Sequence, residues 1–193
     1  AHANLNVFPK AVGFYTKALA IEPNNADFLN NLGNAQVALK QYDLAIRNFE
    51  KAIYINPAFS LAFNNLGIAL KAQGKVELAA EFFAKALSID PMLIDSHVHL
   101  GDAFLEQAKI ASAQRAFRTA IEINEHCVDA YWNLFGASSS SAEAKKWLQL
   151  CVEIDPTFEK AVLMLCFMDS WETDNTDIIK RVSSEYRNHP FVR

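Results

Sequence analysis

A phrase of seven residues recurs at a constant distance along this chain. KALAIEP ends at Pro23, KAIYINP at Pro57 and KALSIDP at Pro91, so successive prolines lie 34 residues apart. Two further, less exact copies of the phrase are TAIEINE at 119–125 and LCVEIDP at 150–156. Self-similarity at such a period is typical of repeat proteins, in which one unit cannot bury its apolar face without its neighbours. The chain is therefore expected to fold as a stack of similar units.

Each 34-residue unit predicts two helices that pack closely. Apolar spacings of three and four indicate helices, and a break near the middle of the unit separates them. Small residues let the two helices approach, phenylalanine fills the space toward the neighbouring unit, and proline ends the second helix. The recurring columns are Leu32, Leu66 and Leu100; Gly33, Gly67 and Gly101; Ala45, Ala79 and Ala113; Phe49, Phe83 and Phe117; and Ala52, Ala86 and Ala120.

These columns resemble the tetratricopeptide repeat family over roughly residues 8–170. The resemblance implies an all-α fold, a right-handed α-solenoid of antiparallel helix hairpins with about eleven helices. The repeats are also similar to those of the O-GlcNAc transferase repeat domain. Two residues depart from the family pattern: Gln36 stands where an apolar or aromatic residue is usual, and Glu125 where proline is usual.

One repeat domain over residues 1–193 is expected, with irregular repeats at both ends. The partial repeat at the front supplies only a second helix. The fourth 34-residue repeat is shortened, with its first helix ending near Gly136 and a Ser-rich turn at 138–144. A last helix over about 177–187 is predicted to cover the open end of the stack. The expected units are 8–22, 26–59, 60–93, 94–127, 128–156 and 158–188.

Composition disfavours several classes of partner. The net charge is −4 and there is no Lys/Arg-rich run, so nucleic-acid binding is not expected. The longest apolar run, AVLMLCFM at 161–168, is far shorter than the roughly 20 residues that cross a bilayer. The first residues show no charged region followed by an apolar stretch, so secretion is not expected. Cys127, Cys151 and Cys166 show no pairing pattern, which favours a reducing compartment and predicts a cytoplasmic protein.

The resemblance implies that the first helix of each unit, helix A, lines a concave groove. Position 6 of the unit then carries Asn31, Asn65, His99 and Asn133. An asparagine offers two donors and an acceptor, so one per repeat could pair with the backbone of an extended peptide. This column looks like the asparagine ladder of the O-GlcNAc transferase repeats, with a histidine interrupting it. The alternative is that asparagine is simply common at this position and stays solvated.

The leading hypothesis is a non-enzymatic scaffold that binds an extended peptide in this groove. The asparagines are interpreted as unnecessary for packing. Aspartates at groove positions favour neutral or basic partners over the acidic tails that a carboxylate clamp holds, and exposed apolar surface also permits self-association. The alternative is the substrate-recruiting repeat region of a larger enzyme, such as a glycosyltransferase or methyltransferase. The predicted peptide-binding residues are Asn30, Asn31, Asn64, Asn65, His99, Asp102, Trp132 and Asn133.

No catalytic group, cofactor site or metal site is predicted. There is no Gly-rich phosphate loop, no HExxH and no GxSxG motif. Asp95, His99 and Asp102 share one helix face and could form a weak metal site, but polar residues lining a groove explain them better.

Overall fold

The computed structural model describes residues 7–173, with the side chains described up to residue 169. Within this range the chain forms ten α-helices and no strand, which confirms the all-α prediction. The helix predicted over 177–187 lies outside the described residues. The helices are α1 (Val7–Ile21), α2 (Ala26–Ala38), α3 (Tyr42–Ile55), α4 (Ser60–Ala72), α5 (Val76–Ile89), α6 (Ile94–Glu106), α7 (Ile110–Ile123), α8 (Val128–Gly136), α9 (Ser141–Ile154) and α10 (Glu159–Thr173).

The chain divides into two compact units, one ending at Ile123 and one beginning at Asn124. In the first unit each helix packs on the next, and the A helices also contact one another, α2 with α4 and α4 with α6. No comparable contact joins successive second helices among the described residues of this unit. The A helices are therefore the more closely spaced layer, which is the inner side of a curved stack. One repeat domain over residues 1–193 stays a prediction.

A glycine in helix A sets the distance between the two helices of each repeat in the first unit. A Cβ atom at Gly33 would lie 2.5 Å from the Phe49 ring, and one at Gly67 would lie 2.5 Å from the Phe83 ring. Gly101 faces Phe117 in the same way. All three rings are fully buried. Only glycine leaves room for the ring to lie on the helix A backbone, so the two columns are one packing device.

The turn between the two helices of a repeat uses a left-handed residue at the same place each time. The residues are Lys40 with φ 58°, Gly74 with φ 78° and Ala108 with φ 57°. In the second repeat the Lys75 N–H donates to the Leu70 carbonyl at 3.0 Å, which ends the helix with a Schellman-type hydrogen bond. Glycine suits this conformation best. Lys40 and Ala108 each carry a Cβ atom, so the backbone of the other two repeats is strained at this position.

Hydrogen bonds accommodate the two departures from the family pattern. Gln36 is buried, and its Oε1 accepts a hydrogen bond of 2.7 Å from Asn48 Nδ2, so the buried amide oxygen is paired. Where Glu125 replaces proline, the His126 N–H donates to Asn124 Oδ1 at 3.0 Å. The same side-chain bond forms where proline is present, from the Ala58 N–H to Asn56 Oδ1 at 3.1 Å. The turn is therefore specified by the residue before proline as well.

Helix α1 occupies the place of a second helix, and its residues are more exposed than their equivalents. Ala11, Tyr15 and Ala18 are partly exposed, whereas the matching Phe49 is fully buried. Phe14 on the same helix is 68% exposed. Within the described residues no A helix covers the outer side of α1, which accounts for this exposure.

The second unit contains a shortened repeat. Helix α8 has 9 residues where α2, α4 and α6 each have 13. Ser140 caps α9 by accepting a hydrogen bond of 3.2 Å from the Glu143 N–H, so the predicted Ser-rich turn and helix start are found. Leu134, Leu148 and Cys151 are fully buried. Burial raises the pKa of Cys151 to about 12, so this thiol is unreactive near neutral pH.

Candidate functional site

Position 6 of the three A helices in the first unit presents side chains to solvent. Asn31 on α2, Asn65 on α4 and His99 on α6 are each partly exposed. Among the described residues Asn31 makes no side-chain hydrogen bond, whereas Asn65 Nδ2 donates to Asn30 Oδ1 at 2.9 Å. The three positions therefore lie along the closely spaced layer, and of the two asparagines it is Asn31 whose amide has no partner within the described range.

Position 5, by contrast, is buried between neighbouring A helices. Asn30 is 6% exposed and Asn64 is 4% exposed. Ser96 Oγ donates to Asn64 Oδ1 at 2.9 Å, and Asn64 Nδ2 donates to Asn65 Oδ1 at 3.3 Å. With the bond from Asn65 to Asn30, a continuous chain of hydrogen bonds joins α2, α4 and α6.

This chain corrects two interpretations of the sequence. The view that packing does not need the asparagines is wrong, because three of them join successive repeats by hydrogen bonds that satisfy buried amides. Asn30 and Asn64 were also expected to add selectivity for a ligand. Their burial leaves them almost no surface for such contacts, so we assign both to the packing of neighbouring repeats.

A depression of about 330 Å³ lies between α4, α5 and α6, and we call it the Asp102 pocket. Its apolar lining comes from Ile68, Ala72 and Phe83. Its polar lining consists of Lys71, His99, Asp102 and Glu106.

Charged side chains from two helices meet in this pocket. Lys71 Nζ lies 3.5 Å from Asp102 Oδ2 and 3.3 Å from Glu106 Oε1, so one ammonium is shared by two carboxylates. Burial raises the pKa of Asp102 above its ordinary value, against the lowering effect of Lys71 and His99. The carboxylate is therefore less well stabilised here than it would be in water.

The two histidines of α6 have structural contacts. The His99 ring lies 5.4 Å from the Phe83 ring between centroids, and His97 Nε2 lies 2.9 Å from the Pro91 carbonyl oxygen. In the part of the chain that the structure describes, no group of three or more His, Cys, Asp or Glu residues is placed to hold a metal ion. Asp95, His99 and Asp102 thus do not converge on one ion.

In the second unit, Trp132 and Asn133 lie side by side on α8, and both are partly exposed. The Trp132 ring lies 5.2 Å from the Phe135 ring and 5.5 Å, edge to face, from the Phe158 ring. Aromatic neighbours hold the indole in place, which limits the part of it that a ligand could contact.

Two residues of this surface escaped the sequence analysis. Glu106 follows Asp102 by four residues, and this spacing puts both carboxylates on one helix face. The spacing alone is therefore enough to indicate Glu106. Ser96 had no signal, because its partner Asn64 belongs to the preceding repeat and the contact follows from how the repeats stack.

Family comparison identifies the repeats. Models described as tetratricopeptide repeat match residues 26–59, 60–93 and 99–134. The chain therefore belongs to the tetratricopeptide repeat family. The narrower resemblance to the O-GlcNAc transferase repeats stays a prediction. A comparison with curated proteins gave no match.

Solved structures share this fold at low sequence identity. A crystal structure of MamA is 22% identical, with a TM-score of 0.69 over 79% of this chain and 91% of that one. YrrB, described as a TPR protein with an unusual peptide-binding site, is 22% identical, with a TM-score of 0.66 over 83% and 84%. TTC0263, a thermophilic TPR protein in Thermus thermophilus, is 16% identical, with a TM-score of 0.72 over 85% and 91%.

These likenesses establish the all-α tetratricopeptide solenoid and nothing narrower. In the described range, no helix is both long and apolar enough to span a membrane.

Proposed function

We propose that this protein is a protein-interaction scaffold and that its A-helix layer binds an extended peptide segment. The observation that carries the proposal is the row of partly exposed polar side chains at position 6, Asn31, Asn65 and His99, on helices that pack against one another. An extended chain laid across successive A helices meets one such side chain per repeat. The amides offer donors and acceptors to a backbone of any sequence.

The structure supports a set of contacts that leaves out the buried Asn30 and Asn64. Asn31 is partly exposed on α2, and Asp102 borders the pocket on α6. Trp132 and Asn133 are kept as predicted contacts in the second unit. YrrB, which shares the fold, is described as having a peptide-binding site, and this lends the proposal plausibility. A preference for neutral or basic segments and a capacity for self-association belong to the same proposal.

Peptide selection tests the proposal. The full 193-residue chain, immobilised, would be used to select binders from a random dodecapeptide library, and affinity for one selected peptide would then be measured by calorimetry. We expect Asn31→Ala to weaken binding several-fold without lowering the melting temperature, because the amide has no partner within the described residues.

Asn24→Ala is the matched control, since Asn24 is an exposed asparagine in a turn outside the A helices. Equal affinity of the Asn31 and Asn24 variants for every selected peptide would contradict peptide binding by the A-helix layer. A library that yields no binder would count against peptide binding altogether.

A further inference from the structure

The lining of the Asp102 pocket holds more carboxylates than lysine or arginine side chains. Lys71 is the single lysine or arginine among its lining residues, and Asp102 and Glu106 are its two carboxylates. The separations of 3.5 Å and 3.3 Å exceed the roughly 2.7–2.9 Å of a strong charge-assisted hydrogen bond. Lys71 therefore divides a loose interaction between two anions, and in the lining the carboxylates outnumber the lysine and arginine side chains two to one.

The shape of the pocket adds a second requirement. Ile68 and Ala72 provide an apolar wall on α4, whereas the two carboxylates belong to α6. A ligand group that suits both sides must have an apolar stem and a cationic head. Long basic side chains have this form, because they lay their methylene groups along apolar surface while the charge stays at a polar edge.

We propose that the Asp102 pocket binds an arginine side chain of the peptide. This inference rests on the proposed peptide-binding function and specifies one side chain of its ligand. Asp102 and Glu106 are four residues apart on α6, so their carboxylates lie one helical turn from each other. The planar guanidinium offers five donors in a fork that can engage both, whereas a lysine offers a single point charge. Lys71 is then the resident cation that the arginine displaces.

Charge complementarity excludes the opposite occupant. An acidic side chain would bring a third carboxylate to a pocket whose single ammonium already has two. The desolvation that raises the pKa of Asp102 also strengthens any pairing with an incoming cation, because charges in a partly buried site are less screened by water.

The test uses a selected dodecapeptide and a second version of it in which arginine is replaced by citrulline, which has nearly the same shape but no charge. On the native protein we expect the citrulline version to bind roughly tenfold more weakly, the usual consequence of losing a charged hydrogen bond. Asp102→Asn and Glu106→Gln should each lower the affinity for the arginine peptide and leave the affinity for the citrulline peptide unchanged. Lys71→Met should raise the affinity for the arginine peptide, because it removes the competing cation.

Asp95→Asn is the matched control for the whole-protein charge. Asp95 is an exposed aspartate on the same helix, outside the pocket, so the variant changes net charge by the same amount as Asp102→Asn. Circular dichroism checks that each variant stays helical. Equal loss of affinity in the Asp95 and Asp102 variants would overturn the proposal that the pocket binds arginine. Equal binding of the arginine and citrulline peptides would overturn it too.

The outcomes also separate this inference from the function on which it rests. If Asn31→Ala weakens binding while Asp102→Asn and Glu106→Gln do not, peptide binding by the A-helix layer is supported and arginine binding by the Asp102 pocket is contradicted. If selected peptides carry no arginine but still depend on Asn31, the result is the same. If neither Asn31→Ala nor the pocket variants change any affinity, or if the library yields no binder, both proposals fall.

Discussion

The full repeats of the first unit and the shortened repeat of the second unit pack their helices by different means. In each full repeat of the first unit one phenylalanine ring, such as that of Phe83, lies on the backbone at a glycine of helix A, such as Gly67. In the shortened repeat the equivalent residues are Phe135 and Leu148. A side chain at the glycine position excludes the ring-on-backbone contact, so α8 and α9 pack through side chains, with Leu148 fully buried.

The turn between the two helices differs as well. Each full repeat ends helix A with a left-handed residue, as at Gly74. Helix α8 lacks the last turn of the longer A helices, and the residues from Ala137 to Ser140 include no positive φ. Ser140 instead caps α9. Where helix A is cut short, the start of helix B is therefore specified by an N-cap rather than by the end of helix A.

The largest expected effect comes from filling the glycine contact. Gly67→Ala puts a Cβ 2.5 Å from the Phe83 ring, which is fully buried, so the ring or the helix backbone must shift. Overpacking of this kind costs about 1–3 kcal/mol, against a gain of about 1 kcal/mol in helix propensity. We expect the free energy of unfolding to fall, and urea titration followed by far-UV circular dichroism measures it.

Two glycines serve as controls for this comparison. A Cβ at Gly13 or at Gly136 meets nothing within 4 Å, so alanine should leave stability unchanged or raise it at either position. Trp132 and Trp147 both belong to the second unit, so tryptophan fluorescence follows the Gly136→Ala variant there. Equal destabilisation at Gly67 and Gly136 would show that the glycine column has no special packing role.

A smaller effect is expected from breaking the hydrogen-bond chain between repeats. Asn65→Ala removes the donor to Asn30 Oδ1 and leaves a buried acceptor without that partner. The loss should be about 1 kcal/mol after the better helix propensity of alanine is counted. Thermal unfolding measures it, with Asn34→Ala as the control, because Asn34 is an exposed asparagine on α2. A melting temperature as high as that of the control would mean that the chain of amides adds nothing to stacking.

The asparagines also mark the limit of what the sequence predicts. Columns such as Gly67 with Phe83 repeat every 34 residues, and that recurrence was enough to predict the helices and their pairing. Asn64 and Asn65 are neighbours on α4, separated by about 100° around the helix axis, and both fall on the same broad face. Only the position of the adjacent A helix decides that Asn64 is buried while Asn65 is partly exposed. That position follows from packing between repeats, which no single repeat encodes.

The smallest expected effect concerns the left-handed residue that only the full repeats use. Ala108 has φ 57°, a conformation that costs a residue with a Cβ about 1–2 kcal/mol, whereas glycine adopts it without this strain. Ala108→Gly should therefore stabilise the protein by about 0.5–1 kcal/mol once the greater flexibility of glycine in the unfolded chain is subtracted. The reverse change, Gly74→Ala at φ 78°, should destabilise it by a similar amount. Both are read from urea midpoints by circular dichroism. A loss of stability in the Ala108 variant would contradict this prediction and would mean that unfolded-state entropy outweighs the backbone strain.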